Sequence, residues 1–170
     1  MDFTTLALSI LPAIITGGIA YYFFNAHFKN ENNRRKFNLL QENRKATLPV
    51  RLQAYERITL FLERINPSQL LLRVKPLGDN KEAYSSLLLG TIEQEYEHNI
   101  SQQIYISEEC WNVITSSKNA IAHIIAETVK LDTVNNSQEL REAILKKMME
   151  TTPPSSVSLS FLKAEVHKLL

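Results

Sequence analysis

A chain of 170 residues has room for one membrane segment and one domain of modest size. Its single cysteine, Cys110, excludes an intrachain disulfide and fits a reducing compartment. The net charge of +1 conceals an asymmetry: residues 29–64 carry nine Lys/Arg against four Glu, and the chain beyond them is acidic.

The first 24 residues carry no charge after Asp2. As a helix, about 22 apolar residues extend roughly 33 Å, enough for a hydrocarbon core of roughly 30 Å. Residues 3–25 are therefore expected to form a transmembrane helix. A cleaved signal peptide fits less well. Only Asp2 precedes the run, and it ends in Tyr21, Tyr22, Phe23 and Phe24 instead of small residues. Lys29, Arg34, Arg35 and Lys36 follow closely, so the positive-inside rule sets the topology. The expectation is a single-pass protein of the inner (cytoplasmic) membrane, with a short N-terminus outside and the C-terminal domain in the cytoplasm. Pro12 should kink the span. Ser9, Ala13 and Gly17 recur every four residues, a strip on which another membrane helix or a second copy could pack.

Residues 26–47 are basic and polar, and read as a helix or a linker. Their Lys and Arg either contact anionic lipid head groups or only set topology. Residues 48–170 read as a cytoplasmic helical domain. Thr47 can cap a helix with Pro49 in its first turn, or one continuous helix can bend at Pro49. Leu48, Leu52, Tyr55, Thr59 and Leu62 then repeat at helical spacing, and Ile58, Phe61 and Ile65 widen the apolar face. Asn66-Pro67 stops this helix and opens a short one reaching Val74.

Residues 75–80 read as a loop, with Asp79 or Asn80 capping a helix to about Asn99. Tyr84, Leu87, Leu88, Ile92 and Tyr96 supply its stripe. Ile104-Tyr105-Ile106 could be extended, though it is too short to support a sheet. Ser107 caps the next helix, with Glu108 and Glu109 in its first turn and Ile106 and Trp111 at staple positions. That helix carries Ile114, Ile121, Ile125 and Val129, and ends near residues 131–133. Residues 135–137 form a turn and cap before a helix with Leu140, Ile144 and Met148. Pro153-Pro154 stops it, and Ser155 or Ser156 caps a last helix with Leu159, Leu162, Val166 and Leu169 on one side. The fold class is all-α: one N-terminal transmembrane helix followed by a bundle of about five helices.

Two runs resemble a family of small, uncharacterised, membrane-anchored proteins of Bacteroidota. One is Leu48-Pro49-Val50-Arg51-Leu52-Gln53-Ala54-Tyr55-Glu56-Arg57, leading into residues 61–67. The other is Glu97-His98-Asn99-Ile100-Ser101-Gln102-Gln103-Ile104-Tyr105-Ile106. The resemblance covers most of the chain up to roughly Lys118. It implies a bacterial, anchored, non-enzymatic protein and supplies no functional residues.

The residues themselves offer little chemistry. Glu95 and His98 have the spacing that puts two metal ligands on one helix face, but a second Glu-x-x-His is missing. No Gly-rich phosphate loop, nucleophile elbow or zinc signature occurs. No cofactor, metal or small-molecule substrate is expected. The expected function is a membrane-anchored, non-enzymatic adaptor or assembly subunit that presents its helical bundle to protein partners or to further copies of itself. Candidate interaction residues are Arg51, Tyr55, Arg57, Arg64, Gln102 and Gln103, whose two segments either pack together or form one side of a partner groove. The alternative is binding of anionic lipid or nucleic acid by the basic segment. The interspersed Glu31 and Glu42 and the lack of stacking aromatics argue against nucleic acid. A metal-dependent enzyme resting on Glu95 and His98 is the weakest reading.

Overall fold

A computed structural model describes the backbone of residues 3–169, with the side chains of residues 3–14, 26, 33 and 44 outside the description. The described residues form helices and no strand: α1 (Phe3–Ile65), α2 (Pro67–Arg73), α3 (Lys81–Asn99), a 3-10 turn (Ile100–Tyr105), α4 (Glu108–Thr128), α5 (Ser137–Glu150) and α6 (Pro154–His167). The chain divides into two compact units, Met1–Leu48 and Pro49–Leu170.

The first unit is helical, as no Gly or Pro interrupts the chain between Gly18 and Pro49. Its described apolar side chains from Ile15 to Leu40, including Ile19, Tyr22, Phe23, Phe28 and Phe37, are exposed. Arg34 and Arg35 both pair with Glu31 at 3.3 Å, one turn away.

The expected single-pass membrane location is corrected: among the described residues, no helix is long and apolar enough to cross a membrane. The described side chains from Ile15 to Phe24 are uncharged. Asn25 and the charged segment follow. The expected kink at Pro12 and the packing residues Ser9 and Ala13 lie outside the described side chains. Gly17 is exposed, and a Cβ built on it would meet no atom within 4 Å. Thr47 lies inside α1 and does not open a helix at Pro49; its hydroxyl donates back to the Asn43 carbonyl at 2.8 Å.

In the second unit, Ile58, Phe61, Leu62 and Ile65 of α1 are fully buried. They join one core with Leu70 and Leu71 of α2, Leu88 and Ile92 of α3, Ile121 and Ile125 of α4, Ile144 of α5 and Leu162 of α6. α4 packs on α3, α5 and α6, while α5 also meets α2 and α3. Local capping chemistry sets most of the starts. Asn66, Asn80, Ser107 and Asn136 each accept an amide N–H from the first turn of the helix they open. Glu139 reaches back past the cap residue and accepts the Asn135 N–H at 2.6 Å. The 75–80 loop is tied to the turn before α5: Ser137 N–H donates to the Asp79 carbonyl at 3.1 Å, and Lys81 Nζ to the Val134 carbonyl at 2.7 Å.

Three local expectations differ. Residues 104–105 belong to the 3-10 turn and are not extended, since no second strand exists among the described residues to accept their backbone bonds. α4 ends at Thr128, earlier than its apolar pattern suggests. α6 starts at Pro154 with Pro153 as its cap residue, so neither Ser155 nor Ser156 caps it. Pro needs no N–H partner in a first turn. The serines serve packing instead: Ser155 and Ser158 are buried, and Ser158 Oγ lies 2.6 Å from Ser117 Oγ of α4 and donates to the Val113 carbonyl at 2.9 Å.

Leu88→Ala removes a fully buried side chain and is expected to cost about 2–5 kcal/mol. Leu77→Ala, at a position 95% exposed, is expected to stay within about 0.5 kcal/mol. Urea unfolding of the two variants beside the native chain checks both.

Candidate functional site

The C-terminal part of α1 carries polar and apolar features on both of its flanks. On the α6 side, Glu165 gathers a hydrogen-bond cluster. Its carboxylate accepts from Tyr55 Oη at 2.5 Å, from the Ser107 N–H at 3.0 Å and from Ser107 Oγ at 2.5 Å. Arg51 Nη2 donates to Tyr55 Oη at 3.3 Å, and Arg51 Nε to the Tyr105 carbonyl at 3.2 Å. A capping box normally supplies the cap residue's own N–H with a Glu or Gln three residues on. Three residues after Ser107 stands Cys110, which cannot do this. Glu165 of α6 takes that role from across the bundle.

The electrostatics follow from this geometry. Burial pushes the Glu165 carboxyl up, but the Ser107 hydroxyl, the Tyr55 hydroxyl and the Ser107 amide outweigh it and hold its pKa below the ordinary 4.5. Burial, reinforced by the hydrogen bond to Glu165, pushes Tyr55 up to about 12. Burial and the nearby charge of Glu165 likewise push the Cys110 thiol up to about 12. A thiolate nucleophile needs the opposite shift, so Cys110 stands here as a protonated, buried thiol.

Beside this cluster, α1 and α6 leave an open groove of about 610 Å³. Leu52, Leu60, Leu162 and Val166 line it, with Glu56 and Lys163 also on its walls. On the other flank, α1 and α3 enclose a groove of about 520 Å³, lined by Arg57, Arg64, Gln94, Glu95 and His98 over Leu60 and Phe61. Arg64 Nη1 lies 3.1 Å from both Glu95 oxygens, and Arg73 Nη1 is 2.7 Å from one of them. Burial raises the Glu95 carboxyl, while the Arg73 and Arg64 hydrogen bonds prevail and lower it. Leu60 borders both grooves and stands 61% exposed.

The residues singled out from sequence are thus partly brought together. Arg51 and Tyr55 touch, and Arg51 joins the two family-like runs through Tyr105. Arg57 and Arg64 share the α3-side groove. Gln102 is buried and donates to Ser101 Oγ at 3.1 Å, and neither it nor the exposed Gln103 lines either groove. Lys29, Arg34, Arg35 and Lys36 are exposed in the first unit. Glu95 is engaged by two arginines, and His98 Nδ1 donates to the Gln94 carbonyl at 2.8 Å. Among the described residues, no group of three or more His, Cys, Asp or Glu could hold a metal ion. Sequence reasoning missed Glu165 and Leu60. The missing Glu or Gln three residues after Ser107 was the signal that a remote acceptor was needed.

The chain belongs to a family of unknown function (DUF7935), whose model matches residues 1–169. No curated protein and no solved structure matches it.

The depressed pKa of Glu165 makes stability depend on pH. As pH falls, the unfolded chain takes up the proton first, near the ordinary 4.5. The stabilisation is therefore complete above that value and lost as pH falls through the lower folded-state value. Glu165→Gln is expected to lose about 1–3 kcal/mol at neutral pH. Its deficit should shrink towards zero in acid, where the native carboxyl is also protonated. Unfolding curves of both proteins across pH check the convergence. Tyr55→Phe, which removes the hydroxyl that donates to Glu165 and accepts from Arg51, is expected to cost about 1 kcal/mol.

Proposed function

We propose that the chain is a non-enzymatic adaptor or assembly subunit whose helical unit, Pro49–Leu170, is presented to protein partners. The observation that carries this reading is Leu60. It is an exposed leucine on a helix whose opposite face is fully buried, and it stands as a ridge between two open grooves. An apolar side chain bordered by concave, part-apolar surface is the kind of feature around which partner contacts concentrate. The polar cluster nearby supports the same reading. Its thiol and phenol are pushed towards their neutral forms, and its carboxylate is occupied by three donors from the fold.

The basic segment supports a polyanion partner less well. Glu31 pairs with both Arg34 and Arg35, and the arginines hold its carboxyl below the ordinary value, Arg35 by a hydrogen bond and Arg34 by its charge.

Leu60→Asp tests the adaptor reading. The full chain, tagged and cross-linked in its native cells, is expected to lose the partner set of the native protein. A central interface leucine contributes about 2 kcal/mol or more, near thirtyfold in affinity. The thermal melt should barely move, because Leu60 is exposed. A partner set unchanged by this substitution would sink the reading.

A further inference from the structure

The two grooves that flank Leu60 differ in character, and the difference selects a partner. The α6-side groove is walled chiefly by Leu52, Leu162 and Val166. The α3-side groove holds two arginines, Arg57 and Arg64, seven residues apart on one helix face, which is about 10.5 Å along its axis. Its one carboxylate, Glu95, is already shared by Arg64 and Arg73, so the lining keeps an excess of positive charge. Arg64 uses only Nη1 on Glu95, and its side chain is 57% exposed. Its Nε and Nη2 thus retain donors for a second carboxylate. Arg57 is exposed, and its side chain makes no hydrogen bond or ion pair among the described residues.

Resting on the adaptor reading, we propose that this surface docks an acidic amphipathic helix of a partner protein. Its apolar edge covers Leu60 and reaches the α6-side groove, and carboxylates seven residues apart meet Arg57 and Arg64. Three features favour that occupant. The described surface has no sheet edge to extend, which removes strand addition, and a helix laid in a groove satisfies its own backbone hydrogen bonds. The spacing of the two arginines is the two-turn repeat of a helix lying along α1. Exposed Glu56, on the wall of the α6-side groove, and exposed Glu63 flank the arginines and disfavour a uniform polyanion, whereas discrete carboxylates can meet the arginines alone.

The test uses the full chain and a fluorescent synthetic helical peptide with Leu along one edge and Glu on the flank. A counterpart carries Lys in place of every Glu. Anisotropy titrations are expected to show salt-sensitive binding of the Glu peptide and not of the Lys peptide. Arg57→Glu and Leu60→Asp should each weaken it about tenfold or more, and Arg57→Glu should gain binding of the Lys peptide. Equal binding of both peptides by the native chain, binding of neither, or an affinity indifferent to Arg57→Glu overturns the proposal. So does stronger, Arg57-dependent binding of phosphatidylserine vesicles or of a single-stranded oligonucleotide, which would assign the groove to lipid or nucleic acid. If Leu60→Asp abolishes the cellular partner set while the peptide titrations fail, the acidic-helix inference falls and the adaptor reading stands. If the partner set survives Leu60→Asp, the adaptor reading itself fails.

Discussion

One carboxylate links three helices of the bundle. Glu165 near the end of α6 accepts the amide and hydroxyl of Ser107, which opens α4, and the hydroxyl of Tyr55 on α1. A helix start leaves amide donors without intrahelical partners, and a buried donor without an acceptor is costly. By satisfying the Ser107 amide from a distant helix, Glu165 couples the start of α4 to the docking of α6. The α4–α6 contact carries further hydrogen bonds. It rests in part on serine hydroxyls, Ser117 and Ser158, which bury far less apolar area than leucines at the same places would.

The same arrangement fixes the surface on either side of α1. Its inner face, from Tyr55 through Ile65, is committed to the core. Its outer face is left to Leu60, Arg57 and Arg64, with α6 and α3 as the walls. The pull of Arg64 and Arg73 on Glu95 holds the α3 wall against α1 and α2 while leaving positive charge in excess. A structural ion network and a docking surface can share residues in this way, because an arginine has more donors than one carboxylate can accept.

Much of the helical organisation was legible in the residues. Asn66, Asn80 and Ser107 announce helix starts through side chains that accept from the next turn, and these local bonds need no distant partner. The apolar periodicity of residues 52–65 named the buried face of α1 nearly residue by residue, although Leu87 of α3 kept to its stripe and is exposed. The apolar N-terminal run was the signal read for location, and among the described residues no helix is long and apolar enough to cross a membrane. Ile104-Tyr105 misled by composition: β-branched residues favour strands only where another strand can pair.

The sequence by itself determined an all-helical chain, the positions of most helix starts and the set of side chains that must be buried. Each of these depends on interactions within a turn or two, or on a periodicity that survives without knowledge of the fold. Tertiary structure alone decided that Glu165 would accept the Ser107 amide at the start of α4, that Ser155 would be buried and not cap, and that Arg57, Arg64 and Leu60 would border open grooves. Those outcomes depend on which helix faces which, through contacts up to 110 residues apart in the chain. A pattern of residues along one helix does not carry that information.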